Sequence, residues 1–460
     1  MTLVRRLRSL AYTPVVAALI FQGITLLVGV ASVPVLLIFL SASDFLAWIL
    51  IATFGAFTIQ VEQGILIVAA RRLARPWHSG DRAEFLEELA AARRSYSRLS
   101  MVVLFGLGGF GFLYFGVLTS QDMSANWPLA WVIFVAGYAL NYWFGYNSAI
   151  LLSSECTAQF NLINASTRSL NFATTVLFLW MGLSILGLAA SFLLSVGLSV
   201  FLIRRQAQGQ LARLGQPAPG DPPSAPRAAD FRSRSGRSYI FYTLSNFALY
   251  KGAFLLFPLF PGVLNISDYG LALQLVAIVY GISIIPTQVW LSRLVVAVLA
   301  KDAHRIWQNL WISLGFVAVA FALFLGATII LGRIALDMLG SDVSLPENGV
   351  LGLMFLALMI EAVIFVIVNL LLILGEIRFL RQYVVSVAVV LAACCAIQMT
   401  QGGTGVVLVF LLVPMAVQAL VSLPFAIRAM RQGVTRLVAS VDDGEAPEHK
   451  QIGAKPADAD

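Results

Sequence analysis

Apolar runs long enough to cross a bilayer recur from one end of this chain to the other, and they decide what it can fold into. A run of about 18 or more apolar residues argues for a membrane helix. Hydrocarbon satisfies no backbone polar group, so only helices or closed barrels can span it. The runs here are too long for barrel strands, which leaves helices. The composition agrees: 59% of the 460 residues are hydrophobic and 12% are charged, where soluble domains carry about 25% charge. We read about twelve spans, near 12–40, 45–70, 98–119, 128–152, 160–181, 184–203, 239–262, 269–299, 306–332, 349–374, 379–399 and 405–427. The first and eighth exceed a bilayer's needs, and Pro34 and Pro286 are the expected bend points. The first run is too long for a cleavable signal sequence and reads as a signal anchor.

Charge supplies the orientation. The net charge of +7 would suggest an acidic partner in a soluble protein. Here, all but three of the 30 Lys and Arg residues fall on the side shared by both termini, the exceptions being Arg333, Arg168 and Lys251. That is the positive-inside pattern, and it places both termini in the cytoplasm. The opposite loops carry Asp44, Asp122, Asp268, Asp337, Asp342 and Glu347. The basic surplus is therefore a topology signal, and no nucleic-acid partner is expected. Cys156, Cys394 and Cys395 imply no disulfide framework.

The stretch 204–238 is rich in Pro, Gly, Ala and Arg and is read as a flexible cytoplasmic linker. It separates an N-terminal six-helix lobe, 1–203, from a C-terminal one, 239–437, and 438–460 is read as a disordered cytoplasmic tail. "DRAEFLEELAAARRSYSR" reads as a cytoplasmic helix, acids early and arginines late as the helix dipole prefers. The halves show a weak parallel repeat. "VPVLLIFLSASDF" (33–45) matches "FPLFPGVLNISDY" (257–269) at a constant offset, pairing Pro34 with Pro258 and Asp44 with Asp268. "LLSSE" ending at Glu155 likewise resembles "LILGE" ending at Glu376. Internal repeats of this kind are a transporter signature, with the site between the halves.

No enzyme site is visible. His78, His304 and His449 lie outside the spans, and HExxH, P-loop and CxxC motifs are absent, so neither cofactor nor metal is expected. Polar residues at helical spacing inside spans carry the signal instead. Asn161, Asn164, Arg168, Asn171 and Thr175 share one face of the fifth span. Tyr138, Asn141, Gly145 and Ser148 do so in the fourth, and Gln274, Gly281 and Gln288 in the eighth. Tyr239, Tyr242, Thr243, Asn246 and Tyr250 form a stripe in the seventh. Amides and hydroxyls also glue membrane helices together, which is the plainer account of any single one. A stripe that includes an arginine asks for a wet lumen. Four intramembrane charges stand out, Glu62, Arg168, Lys251 and Glu361, because a charge at mid-bilayer costs about 2.5–3.5 kcal/mol. An internal ion pair of Lys251 with Glu361 or Glu62 is the structural alternative to an anion-binding role. Lys251 sits at the edge of its stripe, about 100° of helix rotation from Tyr250.

The repeat, the six-plus-six layout and the block "SASDF…QGILIVAARRLAR" together resemble the polysaccharide or O-antigen (Wzx-type) flippases, in the superfamily that also holds MATE drug exporters and lipid II flippases. "LNISDYG" keeps Tyr269 and Gly270 of the family's junction between paired spans, and Gly64 and Arg71 match the end of span two; Leu46 stands where the first-half glycine would be. The resemblance implies a V-shaped, two-lobed bundle of the bacterial inner membrane that works as a monomer. It would move an undecaprenyl-diphosphate-linked oligosaccharide to the periplasmic leaflet, with polysaccharide-assembly proteins as partners. Lys251 and Arg168 would hold the diphosphate. Asn141, Asn161, Asn164, Asn171, Asn246, Tyr250, Gln274 and Gln288 would line the glycan path, and Glu62 and Glu361 are candidate ion-coupling groups. The alternative is a MATE-like ion-coupled antiporter of small molecules. A membrane-bound glycan polymerase would need a large external loop, and the longest here is about a dozen residues.

Overall fold

The computed structural model describes residues 14–118, 125–213, 266–289, 301–339, 343–374 and 415–442, with a few isolated positions besides. Every regular element among them is helical. The N-terminal half contains α1 (Pro14–Phe39), α2 (Ala42–Ser79), α3 (Arg82–Met101), α4 (Gly108–Leu118), α5 (Trp127–Phe144), α6 (Tyr146–Ser153), α7 (Thr157–Trp180) and α8 (Ser184–Arg213). The C-terminal half contains α9 (Ile266–Ser283), α10 (Ile285–Val289), α11 (Ala303–Leu339), α12 (Asn348–Ile373) and α13 (Leu423–Asp442). Seven helices among the described residues are long and apolar enough to cross a membrane. The seventh and eleventh expected spans lie outside the described residues, apart from single positions.

Local chemistry explains the breaks. The α1–α2 turn closes where the Ser41 hydroxyl accepts from the Asp44 backbone N–H at 3.2 Å, an N-cap. Asp81 caps α3 in the same way, accepting from the Glu84 N–H at 2.9 Å. The acidic-then-basic segment is thus the start of a long rod: α3 passes through a π-helical turn, Val102–Leu107, into α4. A second π-helical turn, Gln418–Ser422, precedes α13. Pro286 does mark a break, since α9 stops at Ser283 and α10 restarts at Ile285. Pro34 does not, and α1 runs through it. Its ring leaves one carbonyl of the preceding turn without a donor, a loss that membrane helices tolerate.

Two boundaries move. α8 continues to Arg213, so 204–213 of the segment read as linker is helical, and α13 continues to Asp442. The Arg204 guanidinium lies 5.4 Å from the Phe144 ring centroid, a cation–π contact that ties this extension to the end of α5.

In the N-terminal lobe α1 packs along α7, α5 along α8, and α7 along α8, while α2 lies on α6. In the C-terminal lobe α9, α11 and α12 pack together, with α13 on α12. The first lobe's core is aromatic. Phe54 makes edge contacts with Tyr114, Phe115 and Trp131, and Phe134 stacks on Trp131 and meets Tyr138 and Phe192. Two glycines admit these rings: a Cβ on Gly55 would lie 2.7 Å from Phe134 and Tyr138, and one on Gly137 2.7 Å from Phe192.

The lobes meet mainly through α9, which touches α1 and α2, and α10 and α11 also reach α1. The Tyr114 hydroxyl donates to the Leu255 carbonyl at 2.7 Å, bridging the halves. The starts of α2 and α9, which correspond in the repeat, define the distal side, and there the two repeat-related aspartates act as fasteners. Asp44 accepts from the Ser184 hydroxyl at 2.6 Å, and Asp268 accepts from the Ser344 N–H and hydroxyl, both at 2.8 Å.

Candidate functional site

A cavity of about 290 Å³ opens inside the N-terminal lobe, walled by α1, α2, α5, α7 and α8. Its position follows from helix register. On α7, Arg168, Asn171 and Thr175 recur at steps of three and four and so share a face. That face meets Ser32 of α1, Trp48 of α2 and Tyr138 of α5 around the cavity. Phe134, Phe172 and Phe192, with aliphatic residues of α1, α2 and α8, supply the apolar part of the wall.

Arg168 supplies the charge. No carboxylate lies within 4.0 Å of it among the described residues, whereas the other ion pairs, Arg72–Glu88 at 3.9 Å, His78–Glu155 at 3.8 Å and Arg305–Asp302 at 3.1 Å, all sit at helix ends. Its side chain is exposed to the concavity, not sealed in protein. An intramembrane cation facing open space without a counter-charge is costly unless water or an anionic ligand meets it.

Asn171 has two roles. Its Oδ1 accepts from the Thr175 and Ser191 hydroxyls, both at 3.3 Å, and those hydroxyls lie 2.7 Å apart. The trio joins α7 to α8 as interhelical glue, and Asn171 also lines the cavity.

Asn141 points its chemistry elsewhere. This amide, expected on the glycan path, donates from Nδ2 to Glu62 Oε2 at 2.7 Å. Beside it the Tyr142 hydroxyl donates to the Thr58 carbonyl. Glu62 and Asn141 therefore form a half-buried acid–amide pair between α2 and α5, and neither borders the cavity. Asn161 and Asn164 continue the α7 stripe, half-buried, outside the cavity wall. Gln274 is half-buried on α9, the helix that touches the other lobe. Glu361 is 2% exposed on α12 and lies apart from the cavity. Lys251, Asn246 and Tyr250 lie outside the described residues, as does the Gln288 side chain.

Sequence reasoning missed the aromatic wall. Trp48, Phe134, Phe172 and Phe192 carry no signal that separates them from lipid-facing rings in a chain with 31 Phe and 9 Trp. Ser191 was missed too, because only the third dimension brings it to Asn171.

No family model and no curated protein matches this chain. Solved structures do. An inward-facing multidrug resistance MATE transporter of the MOP superfamily superposes with a TM-score of 0.64 at 12% identity, over 93% of this chain and 100% of that one. The fold is that of the MATE transporters. The MATE multidrug transporter DinF-BH in complex with R6G gives 0.62 at 13% identity, over 93% and 96% of the two chains. The eukaryotic MATE transporter AtDTX14 gives 0.57 at 15%, over 94% and 99%. MATE-fold neighbours have 12 membrane helices in two lobes, the architecture expected from the spans.

Proposed function

We propose that the chain flips a lipid-linked oligosaccharide across the bacterial inner membrane by alternating access of its two lobes. The observation that carries this reading is Arg168, an intramembrane cation on a cavity wall with no carboxylate within ion-pair distance among the described residues. A lipid-linked glycan supplies what that wall lacks: an anionic group for the guanidinium, and hydroxyls for Ser32, Asn171 and Thr175. Lys251 is the sequence's second candidate for the anionic group. Both termini are proposed to be cytoplasmic, so that the basic side faces the leaflet where lipid-linked precursors are made.

A second reading, ion-coupled export of small molecules, draws support from neighbours described as multidrug transporters. A cationic small molecule would meet Arg168's like charge at this cavity with no acid to offset it. In that reading Glu62 and Glu361 are the candidate ion-coupling carboxylates. In cells depending on this chain for glycan export, Arg168→Ala is expected to stop export, by at least about tenfold as the loss of a charge-assisted contact implies, while the protein stays inserted. Normal export by the variant contradicts anion capture at this site.

A further inference from the structure

We propose that the cavity of the N-terminal lobe is a subsite for one acidic sugar, a pyranose whose carboxylate is held by Arg168 and whose ring lies on the aromatic wall. This rests on the oligosaccharide reading above and narrows it.

Size is the first argument. A cavity of about 290 Å³ sits at the lower edge of small-molecule sites, roughly 300–1,000 Å³. That size suits a single sugar ring resting in the cavity, with the rest of a glycan continuing through its open side. Charge is the second. Arg168 is the one charged residue on the described wall. A diphosphate carries more than one negative charge and many acceptor oxygens, and most would be left without donors here. A carboxylate carries one charge, and its two oxygens match the guanidinium fork. Wall chemistry is the third. Trp48, Phe134, Tyr138, Phe172 and Phe192 all border the space. Trp48 meets Phe134 edge-on at 5.9 Å, and Phe192 lies 4.9 Å from Phe134 and 4.7 Å from Tyr138, so the rings brace one another. A pyranose has apolar C–H faces for such a surface and hydroxyl edges for Ser32, Asn171 and Thr175; a diphosphate has no apolar face. The diphosphate is thereby left to other cations, Lys251 being the remaining intramembrane one in the sequence.

The test is a tryptophan-fluorescence titration of the full chain in nanodiscs, with Trp48→Phe isolating the signal of the cavity tryptophan. Five probes separate the sources of binding: glucuronate, glucose, acetate, inorganic pyrophosphate and a cationic dye. Glucuronate is expected to saturate a Trp48-dependent signal at a concentration at least about tenfold below glucose, which lacks the charge, and below acetate, which lacks the ring. Arg168→Gln is expected to erase glucuronate's advantage over glucose without lowering the melting temperature, and Arg168→Lys to keep part of it. The subsite is overturned if Arg168→Gln leaves glucuronate binding unchanged, if glucose binds as well as glucuronate, or if no sugar titrates. Arg168-dependent pyrophosphate binding without a sugar preference overturns the subsite and leaves the oligosaccharide reading standing. Binding of a cationic dye alone overturns both.

Discussion

At the scale of single residues, a partner decides what a polar group in a membrane does. Asn141 holds the Glu62 carboxyl at 2.7 Å, and Asn141→Leu leaves that carboxyl without its amide. The expected cost is about 1–3 kcal/mol, the penalty for stranding a buried polar group, read as earlier unfolding in detergent; an unchanged midpoint contradicts the pairing. Arg168 behaves in the opposite sense. It has no carboxylate partner among the described residues, so its replacement is expected to abolish transport and leave stability level or raised. The sequence made both residues conspicuous, because a charge or amide at helical spacing in an apolar span is rare and easily seen. It did not show which was paired. Asn141 and Glu62 are 79 positions apart, and only the approach of α5 to α2 makes them neighbours. The aromatic wall was illegible for another reason: membrane helices place rings against lipid, core and ligand alike.

At the scale of helices, most of the architecture was legible, since the length of an apolar run is itself the signal. The exceptions are instructive. α7 is not among the seven described helices apolar enough to be recognised as a span, because the Asn–Arg–Thr stripe that lines the cavity lowers its hydropathy. α5 and α13 are likewise not among the seven, so hydropathy alone does not mark out a cavity-lining helix. The continuation of α8 to Arg213 was hidden by polar residues that resemble the Pro- and Gly-rich stretch after them, although Arg, Gln, Leu and Ala are good helix formers. Packing sets the cavity's shape. Gly55 leaves room for Phe134 and Tyr138, which a Cβ there would approach at 2.7 Å. Gly55→Ala is expected to cost about 1–3 kcal/mol through overpacking and to push the wall into the cavity. Thermal unfolding and ligand titration on the same variant check both effects. A variant with wild-type stability contradicts the close approach of α2 and α5.

At the scale of the whole molecule, the proposed alternating access requires the two lobes to separate at one face as they close at the other. The Tyr114 hydroxyl and the Leu255 carbonyl join them at 2.7 Å. Tyr114→Phe removes a hydrogen bond worth about 0.5–1.5 kcal/mol, enough to shift the equilibrium between joined and separated lobes roughly two- to tenfold toward separation. Paired spin labels on the distal ends of α2 and α9 report that shift as a longer-distance population; an unchanged distribution excludes the bond as a latch. The repeat-related Asp44 and Asp268 fasten each lobe's own distal junctions and do not bridge the lobes, so each lobe is expected to move as a unit. The account stands most directly on flux in proteoliposomes holding the purified chain and an undecaprenyl-diphosphate-linked oligosaccharide on one leaflet, with and without a pH gradient. It predicts protein-dependent appearance of the glycan on the opposite leaflet, lost in Arg168→Ala. Absence of glycan flux alongside gradient-driven transport of a cationic dye would contradict it.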